Sequence, residues 1–416
     1  MAGWESSRRE GVTGSLAEAE DSLRELRELA ASAGAQVVGA LLQRSPGPDP
    51  ATLLGRGKVS EARASARAAG ADLVIFDHDL TPTQLRNLEQ ALDTRVIDRT
   101  QIILDIFARR ARSREGQLQV ELAQLDYLLP RLAGHGTVLS RLGGGIGTRG
   151  PGEQQLEYDR RRIRRRIRVL KEAIEHVRSQ RALHRAHRRD RNFLTVALVG
   201  YTNAGKSTLF NALTAADVVT SGRMFATLDP TVRALALDAH RTVLLSDTVG
   251  FIRKLPPHLV AAFRATLEEL EGASLLLHVT DASDPLRDTQ DEAVETLLED
   301  LGVAATPRLH VWNKVDLLEA AERQRIDLRS SVSVSARTGE GLDLLRQRID
   351  AALAADPLVE ADFVLSPGDG KRLALLHRAG KVMSTEYEGN RVVVRARVPA
   401  SLREKLQLRV EEDAKT

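Results

Sequence analysis

A glycine-rich octapeptide near the middle of the chain carries the residue types that bind phosphate. It runs from Gly200 to Ser207 and fits the pattern G-x-x-x-x-G-K-[ST] without a mismatch. An apolar run at 193–199 precedes it and apolar residues at helical spacing follow it, which predicts a strand, a loop and a helix. In that context backbone N–H groups and a helix N-terminus can surround a phosphate. We therefore predict phosphate binding by Gly200, Tyr201, Thr202, Asn203, Ala204, Gly205, Lys206 and Ser207.

Charge neutralisation at such a site is predicted to come from one lysine and one metal ion. Lys206 should reach the β- and γ-phosphates, and the Ser207 hydroxyl should bind Mg²⁺. A threonine on a mobile loop usually completes the metal coordination when the γ-phosphate is present. Two threonines of the segment 225–231, Thr227 and Thr231, are chemically suitable. From this segment we include Phe225, Ala226, Thr227, Leu228 and Asp229 among the predicted nucleotide-binding residues.

A second phosphate motif follows a predicted strand at 242–246. It consists of Asp247, Thr248, Val249 and Gly250. An aspartate at a strand end beside the loop can hold Mg²⁺ through water, and the Gly250 N–H can meet a γ-phosphate.

Two later motifs predict that the base is guanine. A strand at 308–312 leads into Asn313, Lys314, Val315 and Asp316, and a strand at 332–334 leads into Ser335, Ala336 and Arg337. The Asp316 carboxylate can accept hydrogen bonds from the N1–H and the exocyclic amine of guanine, a pair that adenine lacks. Lys314 should lie along the base, Asn313 should brace the phosphate loop, and the Ala336 N–H should meet guanine O6. We predict GTP and GDP as ligands, bound at the carboxyl ends of the strands.

The residue that would orient the attacking water is missing from its usual place. Many GTPases have Gln directly after D-x-x-G, but here the position is Phe251, which has no polar group. We therefore predict slow intrinsic hydrolysis that a partner surface accelerates. The candidates for a catalytic role are Asn203, Thr227 and Gly250, and none is assigned as the base.

Composition excludes several other kinds of site. The chain has 416 residues and no cysteine, which excludes disulfides, thiolate metal sites and a cysteine nucleophile. No apolar run approaches the ~20 residues of a membrane span, and the N-terminus lacks the apolar core of a signal peptide. We predict a cytoplasmic protein without a membrane partner.

Two leucine- and isoleucine-rich stripes lie between the N-terminal region and the phosphate loop. Leu118 to Leu132 and Leu156 to Val177 repeat apolar residues at intervals of three and four, which predicts two helices that each pack along a narrow seam. The segment 134–152 between them contains many glycines, so we predict an antiparallel helical hairpin with a glycine-rich tip. Pro130 should kink or end the first helix.

The hairpin is also the most basic part of the chain. Residues 153–191 contain 14 Arg and Lys against 6 Asp and Glu, although the whole chain carries a net charge of only +3. A flexible connector or a solvated helix face would explain the glycines and arginines separately. Like charges in one run repel each other, however, so we favour an anionic partner, RNA. The predicted RNA-binding residues are Arg141, Arg149, Arg160, Arg161, Arg164, Arg165 and Arg168.

The fold class predicted from these patterns is α/β. We expect a P-loop GTPase domain, a small N-terminal α/β domain, an antiparallel helical hairpin and a small C-terminal α+β domain. The predicted boundaries are a disordered tail at 1–14, the N-terminal domain at 15–111, the hairpin at 112–191, the GTPase domain at 192–354 and the C-terminal domain at 355–416.

Several of these segments together resemble the HflX family of translational GTPases, over about Leu16 to Leu353. The resemblance is carried by Asp98-Arg99-Thr100, 116–123, 143–153, Gly200 to Ser207, 225–231 and 247–251. It implies binding to the large ribosomal subunit through its RNA, a role in splitting stalled ribosomes, and Thr227 as the threonine ligand of Mg²⁺. In some similar GTPases an asparagine at the position of Asn203 helps to bind K⁺, which makes K⁺ a further candidate cofactor.

Two other functions remain open on the sequence. The first is an RNA-binding or RNA-remodelling protein whose N-terminal half is the active module and GTP the regulator. The second is a GTPase that regulates a protein complex, with the arginines as a solvated face. In each case we expect a monomer.

Overall fold

The computed structural model describes residues 1–6, 14–132, 151–190, 194–214, 224–237, 242–253, 270–324, 326, 331–355, 358–366, 368–388, 391–400, 402–403 and 406. These residues divide into two compact units. The first contains the described residues up to 177 together with 224–228, and the second contains the remainder. Among the described residues, no helix combines the length and the apolar character that crossing a lipid bilayer requires.

The first unit is built on a four-stranded parallel sheet with the order β2-β1-β3-β4. Its strands are β1 (Ala2–Ser6), β2 (Leu41–Ser45), β3 (Leu73–Phe76) and β4 (Arg95–Asp98). Its helices are α1 (Gly14–Ser32), α2 (Arg56–Ala68), α3 (Pro82–Leu92) and α4 (Arg99–Arg110). Parallel strands separated by helices confirm the predicted small α/β domain.

The prediction of a disordered tail at 1–14 is wrong for the first residues. Strand β1 lies inside the sheet, where Ala2 pairs with Leu41 on one side and with Phe76 on the other. The short run Ala-Gly-Trp-Glu-Ser has no alternating pattern, so only these distant partners make it a strand. Residues 7–13 lie outside the described part of the chain.

Local sequence signals fix where several helices begin. Thr81 caps α3 in a capping box with Gln84, and Pro82 occupies the first position of the helix. Ser113 caps the next helix, α5 (Arg114–Arg131), because its hydroxyl accepts a hydrogen bond from the Gly116 N–H at 2.9 Å. Pro130 lies in the last turn of α5, which ends there as predicted.

Helix α5 packs on two sides, which the sequence did not reveal. The predicted leucine stripe is half-buried or partly exposed, whereas a second face formed by Gly116, Gln119, Val120, Ala123 and Tyr127 is buried. Helix α6 (Pro151–Asp190) lies beside α5, since Arg166 donates two hydrogen bonds of 2.7 Å to the carboxylate of Glu121. The predicted tip at 134–152 lies almost wholly outside the described residues.

A buried polar network ties α5 to the end of strand β4. Asp98 accepts hydrogen bonds from the Tyr127 hydroxyl at 2.9 Å and from Arg131 Nη2 at 3.0 Å. The adjacent Arg99 is buried and forms ion pairs with Asp77 at 2.8 Å and with Glu25. Burial raises the pKa of Asp98 despite these donors. Asp98 therefore holds α5, and Arg99 ties the start of α4 to α1 and to the end of β3.

The second unit contains a six-stranded sheet with the order β10-β9-β8-β5-β7-β6. All its strands are parallel except β6, which is antiparallel to β7. The strands are β5 (Thr195–Val199), β6 (Thr231–Ala236), β7 (Thr242–Asp247), β8 (Leu275–Asp281), β9 (Arg308–Asn313) and β10 (Ser331–Ser333). The helices are α7 (Lys206–Thr214), α8 (Arg287–Asp300), α9 (Ala320–Arg323) and α10 (Leu342–Ala355).

A small α+β domain completes this unit. Its three-stranded antiparallel sheet has the order β11-β13-β12, formed by β11 (Leu358–Leu365), β12 (Lys381–Glu388) and β13 (Arg391–Pro399). Helix α11 (Gly370–Ala379) contributes the buried Leu376, which packs with Phe363 and Val394. Residues 389–390, which connect β12 to β13, lie outside the described residues.

Candidate guanine-nucleotide site

The phosphate loop connects β5 to α7 and needs glycine at two positions. A side chain at Gly200, where φ is +146°, would lie 2.1 Å from the carbonyl oxygen of Val279. At Gly205, where φ is +91°, it would lie 2.2 Å from Asn313 Nδ2. Asn203 also has a positive φ, of 64°, which asparagine tolerates better than most residues. The loop conformation therefore depends on the residue types that define the motif.

Lys206 points into the loop rather than away from it. Its ammonium donates hydrogen bonds to the carbonyl oxygens of Gly200 at 3.0 Å and Tyr201 at 2.6 Å, and the residue is 5% exposed. Burial lowers the pKa of Lys206 to about 8, an effect that the nearby Asp247 carboxylate opposes. A negatively charged phosphate would favour the protonated form of this lysine.

Ser207 in the first turn of α7 and Asp247 at the end of β7 come together. The Ser207 hydroxyl donates a hydrogen bond of 2.7 Å to Asp247 Oδ2, because β5 and β7 are adjacent in the sheet. A hydroxyl and a carboxylate at the mouth of a phosphate loop are oxygen ligands of the kind that Mg²⁺ prefers. The residues present therefore fit the metal that the sequence predicts.

The segment after Asp247 closes against the phosphate loop. Phe251 accepts a hydrogen bond from the Thr202 N–H at 2.8 Å and donates one to the Gly200 carbonyl at 3.1 Å. The Arg253 N–H donates to the Tyr201 hydroxyl at 2.9 Å. Gly250 lies so close to the loop that an added side chain would meet Thr202 Cα at 2.8 Å.

The predicted base-binding motifs meet at the ends of β9 and β10. Asn313 Nδ2 donates to the Ala204 carbonyl at 2.8 Å, so Asn313 braces the phosphate loop as predicted. Its Oδ1 accepts a hydrogen bond from the Ala336 N–H at 3.0 Å. The N–H expected to meet guanine O6 is thus engaged in this structure, and a base would have to share or replace that bond.

Lys314 and Asp316 frame the same edge of the sheet. Lys314 has a left-handed backbone, with φ of 62°, and its ammonium forms an ion pair of 2.6 Å with Asp281 at the end of β8. Asp316 lies in the short 3-10 helix Val315–Leu317 and is half-buried. In the later motif, Ser335 is buried and Arg337 is exposed. Asp281 was not predicted as a site residue. Its position at the end of β8, beside the strand that leads into Asn313, could have indicated that it lies near the base-binding motif.

Thr227, a predicted metal ligand, belongs to the first unit. It lies in the segment Met224–Leu228, which we call the switch-loop segment. The Met224 N–H donates a hydrogen bond of 2.9 Å to the Ser32 hydroxyl at the end of α1. The Phe225 ring meets the edge of Phe107 in α4 with centroids 4.7 Å apart. Nothing in the sequence indicated that α1 and α4 hold this segment.

The predicted RNA-binding residues of α6 are largely accessible. Arg161, Arg164, Arg165 and Arg168 are exposed, and Arg160 is half-buried. Arg161 forms an ion pair of 3.2 Å with Glu157, at a point where both side chains are open to solvent. Arg141 and Arg149 lie outside the described residues.

Family models match three consecutive parts of the chain. A model described as GTP-binding GTPase N-terminal matches residues 20–108, and one described as GTP-binding GTPase Middle Region matches residues 110–188. A model described as 50S ribosome-binding GTPase matches residues 195–314. The three ranges cover most of the first unit, including α5 and most of α6, and the strands β5 to β9 of the six-stranded sheet.

Similar proteins extend the match over most of the chain. A GTPase HflX from Caldanaerobacter subterraneus subsp. tengcongensis is 48% identical over 390 residues, which are 94% of this chain and 90% of that protein. The GTPase HflX from Escherichia coli is 46% identical over 355 residues, 84% of this chain and 83% of that protein. A crystal structure of SsGBP with GDP is 24% identical with a TM-score of 0.46 over 85% of this chain and 98% of that one, a likeness too low to carry an argument.

Proposed function

The chain belongs to the HflX family of GTPases, and from this premise we propose that it binds the large ribosomal subunit and couples GTP turnover to splitting or rescue of stalled ribosomes. The chain is a P-loop GTPase. Because ribosomes are cytoplasmic, we propose that the protein acts in the cytoplasm. We also propose that it acts as a monomer.

One series of contacts within the first unit carries this proposal. Exposed arginines line α6, and Arg166 of the same helix joins it to Glu121 of α5. Helix α5 packs on α4, and Phe107 of α4 contacts Phe225 of the switch-loop segment. A shift of α6 on binding RNA could therefore displace α5 and α4, and through them the segment that contains Thr227.

The roles of the site residues follow from their positions. We propose that Lys206 binds the β- and γ-phosphates, that Gly250 donates its N–H to the γ-phosphate, and that Asp316 binds guanine. Ser207 and Thr227 would hold Mg²⁺, with Asp247 acting through water. The ion, when bound, offsets the charge of the phosphates, while the residues of this chain orient the nucleotide.

A potassium ion beside Asn203 is a separate proposal. Asn203 lies at the turn of the phosphate loop, and an amide oxygen there could share a cation with the phosphates, where it would neutralise developing charge. Hydrolysis should then be faster in K⁺ than in Na⁺ buffer, and the difference should vanish in Asn203→Ala. Equal rates of the parent protein in the two buffers would refute the proposal.

Ribosome splitting is tested by light scattering of intact ribosomes mixed with the full chain. With a non-hydrolysable GTP analogue we expect scattering to fall as subunits separate, and with GDP we expect little change. Asp316→Asn supplied with the same analogue serves as the matched control, because it should bind guanine weakly. Ribosomes that remain intact with the analogue at saturating protein would refute the splitting proposal without affecting the assignment as a GTPase.

A further inference from the structure

The side chain of Thr202 is a buried hydroxyl at the γ-phosphate end of the phosphate loop. Thr202 is 5% exposed, and its Oγ1 has no hydrogen-bond partner among the described residues. Its backbone N–H is already used, because it donates to the Phe251 carbonyl at 2.8 Å. A buried hydroxyl without a partner is unfavourable, and a bound water or ligand can supply the missing hydrogen bond.

Gly250 and the ammonium of Lys206 lie beside the Thr202 side chain. A side chain built at Gly250 would meet Thr202 Cγ2 at 2.9 Å and Lys206 Nζ at 3.0 Å. Gly250 and Lys206 are the two residues proposed to contact the γ-phosphate. Thr202 therefore borders the volume in which the γ-phosphoryl group reacts.

The position that usually supplies a water-orienting group cannot do so here. Phe251 follows Gly250, its ring is hydrocarbon, and it is 5% exposed. Two backbone hydrogen bonds fix Phe251 to Gly200 and Thr202. A neighbouring polar residue therefore cannot take the place of the ring unless this segment moves. Thr202 lies against Gly250 through its Cα and its methyl carbon Cγ2. Its hydroxyl, on the same Cβ, is buried and has no hydrogen-bond partner among the described residues.

We propose that the Thr202 hydroxyl orients the attacking water during GTP hydrolysis and so takes the place of the absent glutamine. Thr202 Oγ1 accepts a hydrogen bond from the water, whose oxygen forms the new bond to the γ-phosphorus. The bond to the β-phosphate oxygen breaks with its electron pair leaving on GDP, and the water proton leaves on the released phosphate. Thr202 keeps its own proton throughout.

Two substitutions separate the hydroxyl from the bulk of the side chain. Thr202→Val keeps the shape and removes the hydroxyl, whereas Thr202→Ser keeps the hydroxyl and removes the methyl group. With the full chain alone, single-turnover hydrolysis should be about tenfold slower in Thr202→Val, the loss expected for one hydrogen bond, and within about threefold of the parent in Thr202→Ser. Any loss of affinity for GDP and for a non-hydrolysable GTP analogue should be smaller than the loss of hydrolysis rate in Thr202→Val.

Three outcomes would overturn the inference. Thr202→Val could hydrolyse GTP as fast as the parent, or Thr202→Ser could be as slow as Thr202→Val, which would indicate a packing role for the methyl group. A loss of affinity for the GTP analogue equal to the loss of rate would indicate ground-state binding of the γ-phosphate. The inference rests on GTP hydrolysis and not on the ribosome, so failure of subunits to stimulate hydrolysis would leave it intact.

Discussion

At the scale of single residues, Lys206 shows how burial prepares the site for an anion. Its ammonium is held by two loop carbonyls in a desolvated position, and its pKa falls to about 8 from its usual value of 10.5. The motif in the sequence predicted that this lysine would face phosphate. It did not predict the pKa, because desolvation depends on how Gly250 and Phe251 close over the loop.

Nucleotide affinity should therefore decrease with increasing pH. Bound phosphates hold the Lys206 proton, so above pH 8 binding must take up a proton that the nucleotide-free protein has lost. For a nucleotide-free pKa of about 8, the dissociation constant for GDP should rise about fourfold between pH 7 and pH 8.5. Fluorescence titration over this range measures it, and a constant affinity would show that Lys206 remains protonated.

Base recognition should depend on the charge of one carboxylate. Asp316→Asn loses one hydrogen-bond acceptor and presents an N–H to a guanine N–H. GTP affinity should fall about 100-fold, as expected for impairing hydrogen bonds to a charged group. Affinity for a xanthine nucleotide should rise, because its carbonyl replaces the exocyclic amine.

The control for that experiment is Asp288→Asn, which removes an exposed carboxylate on α8. It should leave the ratio of guanine to xanthine affinity unchanged. If Asp316→Asn also left that ratio unchanged, Asp316 would not be the residue that reads the base.

At the scale of elements, the elements that local sequence patterns determine were predicted better than those that depend on distant partners. The strand, loop and helix around Lys206 follow from an apolar run, glycines and helical spacing, all within twenty residues of sequence. The position of strand β2 at Leu41–Ser45 depends instead on a distant segment, because its register is set by pairing with β1. The buried face of α5 was not predicted, because Gly116, Gln119 and Tyr127 do not form an apolar repeat. Their burial depends on packing against α4.

The contact between α4 and the switch-loop segment gives a prediction at this scale. Phe107→Leu removes the ring edge that meets Phe225 and should cost about 1–2 kcal/mol of stability, since most of the volume is kept. If α4 transmits the effect of the ribosome, stimulation by large subunits should fall severalfold. The intrinsic rate should be unchanged, because Phe107 is not among the residues proposed to bind the nucleotide.

A matched destabilising variant separates transmission from general loss of stability. Leu88→Val alters a buried leucine of α3 in the same unit and should reduce stability by about 1 kcal/mol. It should retain full stimulation. Equal loss of stimulation in both variants would show that stability, rather than the contact between Phe107 and Phe225, determines the response.

At the scale of the whole molecule, the chain combines a nucleotide site with a basic surface proposed to bind RNA, and the two lie largely in different units. The second unit holds the phosphate loop, the residues proposed to read guanine and the proposed water-orienting threonine. The first unit holds the arginine face of α6 and the segment with Thr227. The sequence predicted both from motif order and charge placement, whereas the inclusion of the switch-loop segment in the first unit required the structure.

We propose that ribosomal RNA, bound by the arginines of α6, accelerates GTP hydrolysis. The most direct measurement is the GTP hydrolysis rate of the full chain with and without purified large subunits, over a series of salt concentrations. The test pair is Arg164→Gln/Arg168→Gln on α6, and the control pair is Arg63→Gln/Arg67→Gln on α2, exposed at the same spacing. For each arginine that binds a phosphate, its replacement should reduce the slope of log affinity against log salt by about 1.

We predict that large subunits strongly stimulate hydrolysis by the parent protein and by the control pair, and that this stimulation weakens with salt. The α6 pair should lose much of the stimulation and keep the intrinsic rate. If the hydrolysis rate were the same with and without large subunits, or if neither salt nor the α6 pair reduced the stimulation, α6 would not couple RNA binding to hydrolysis.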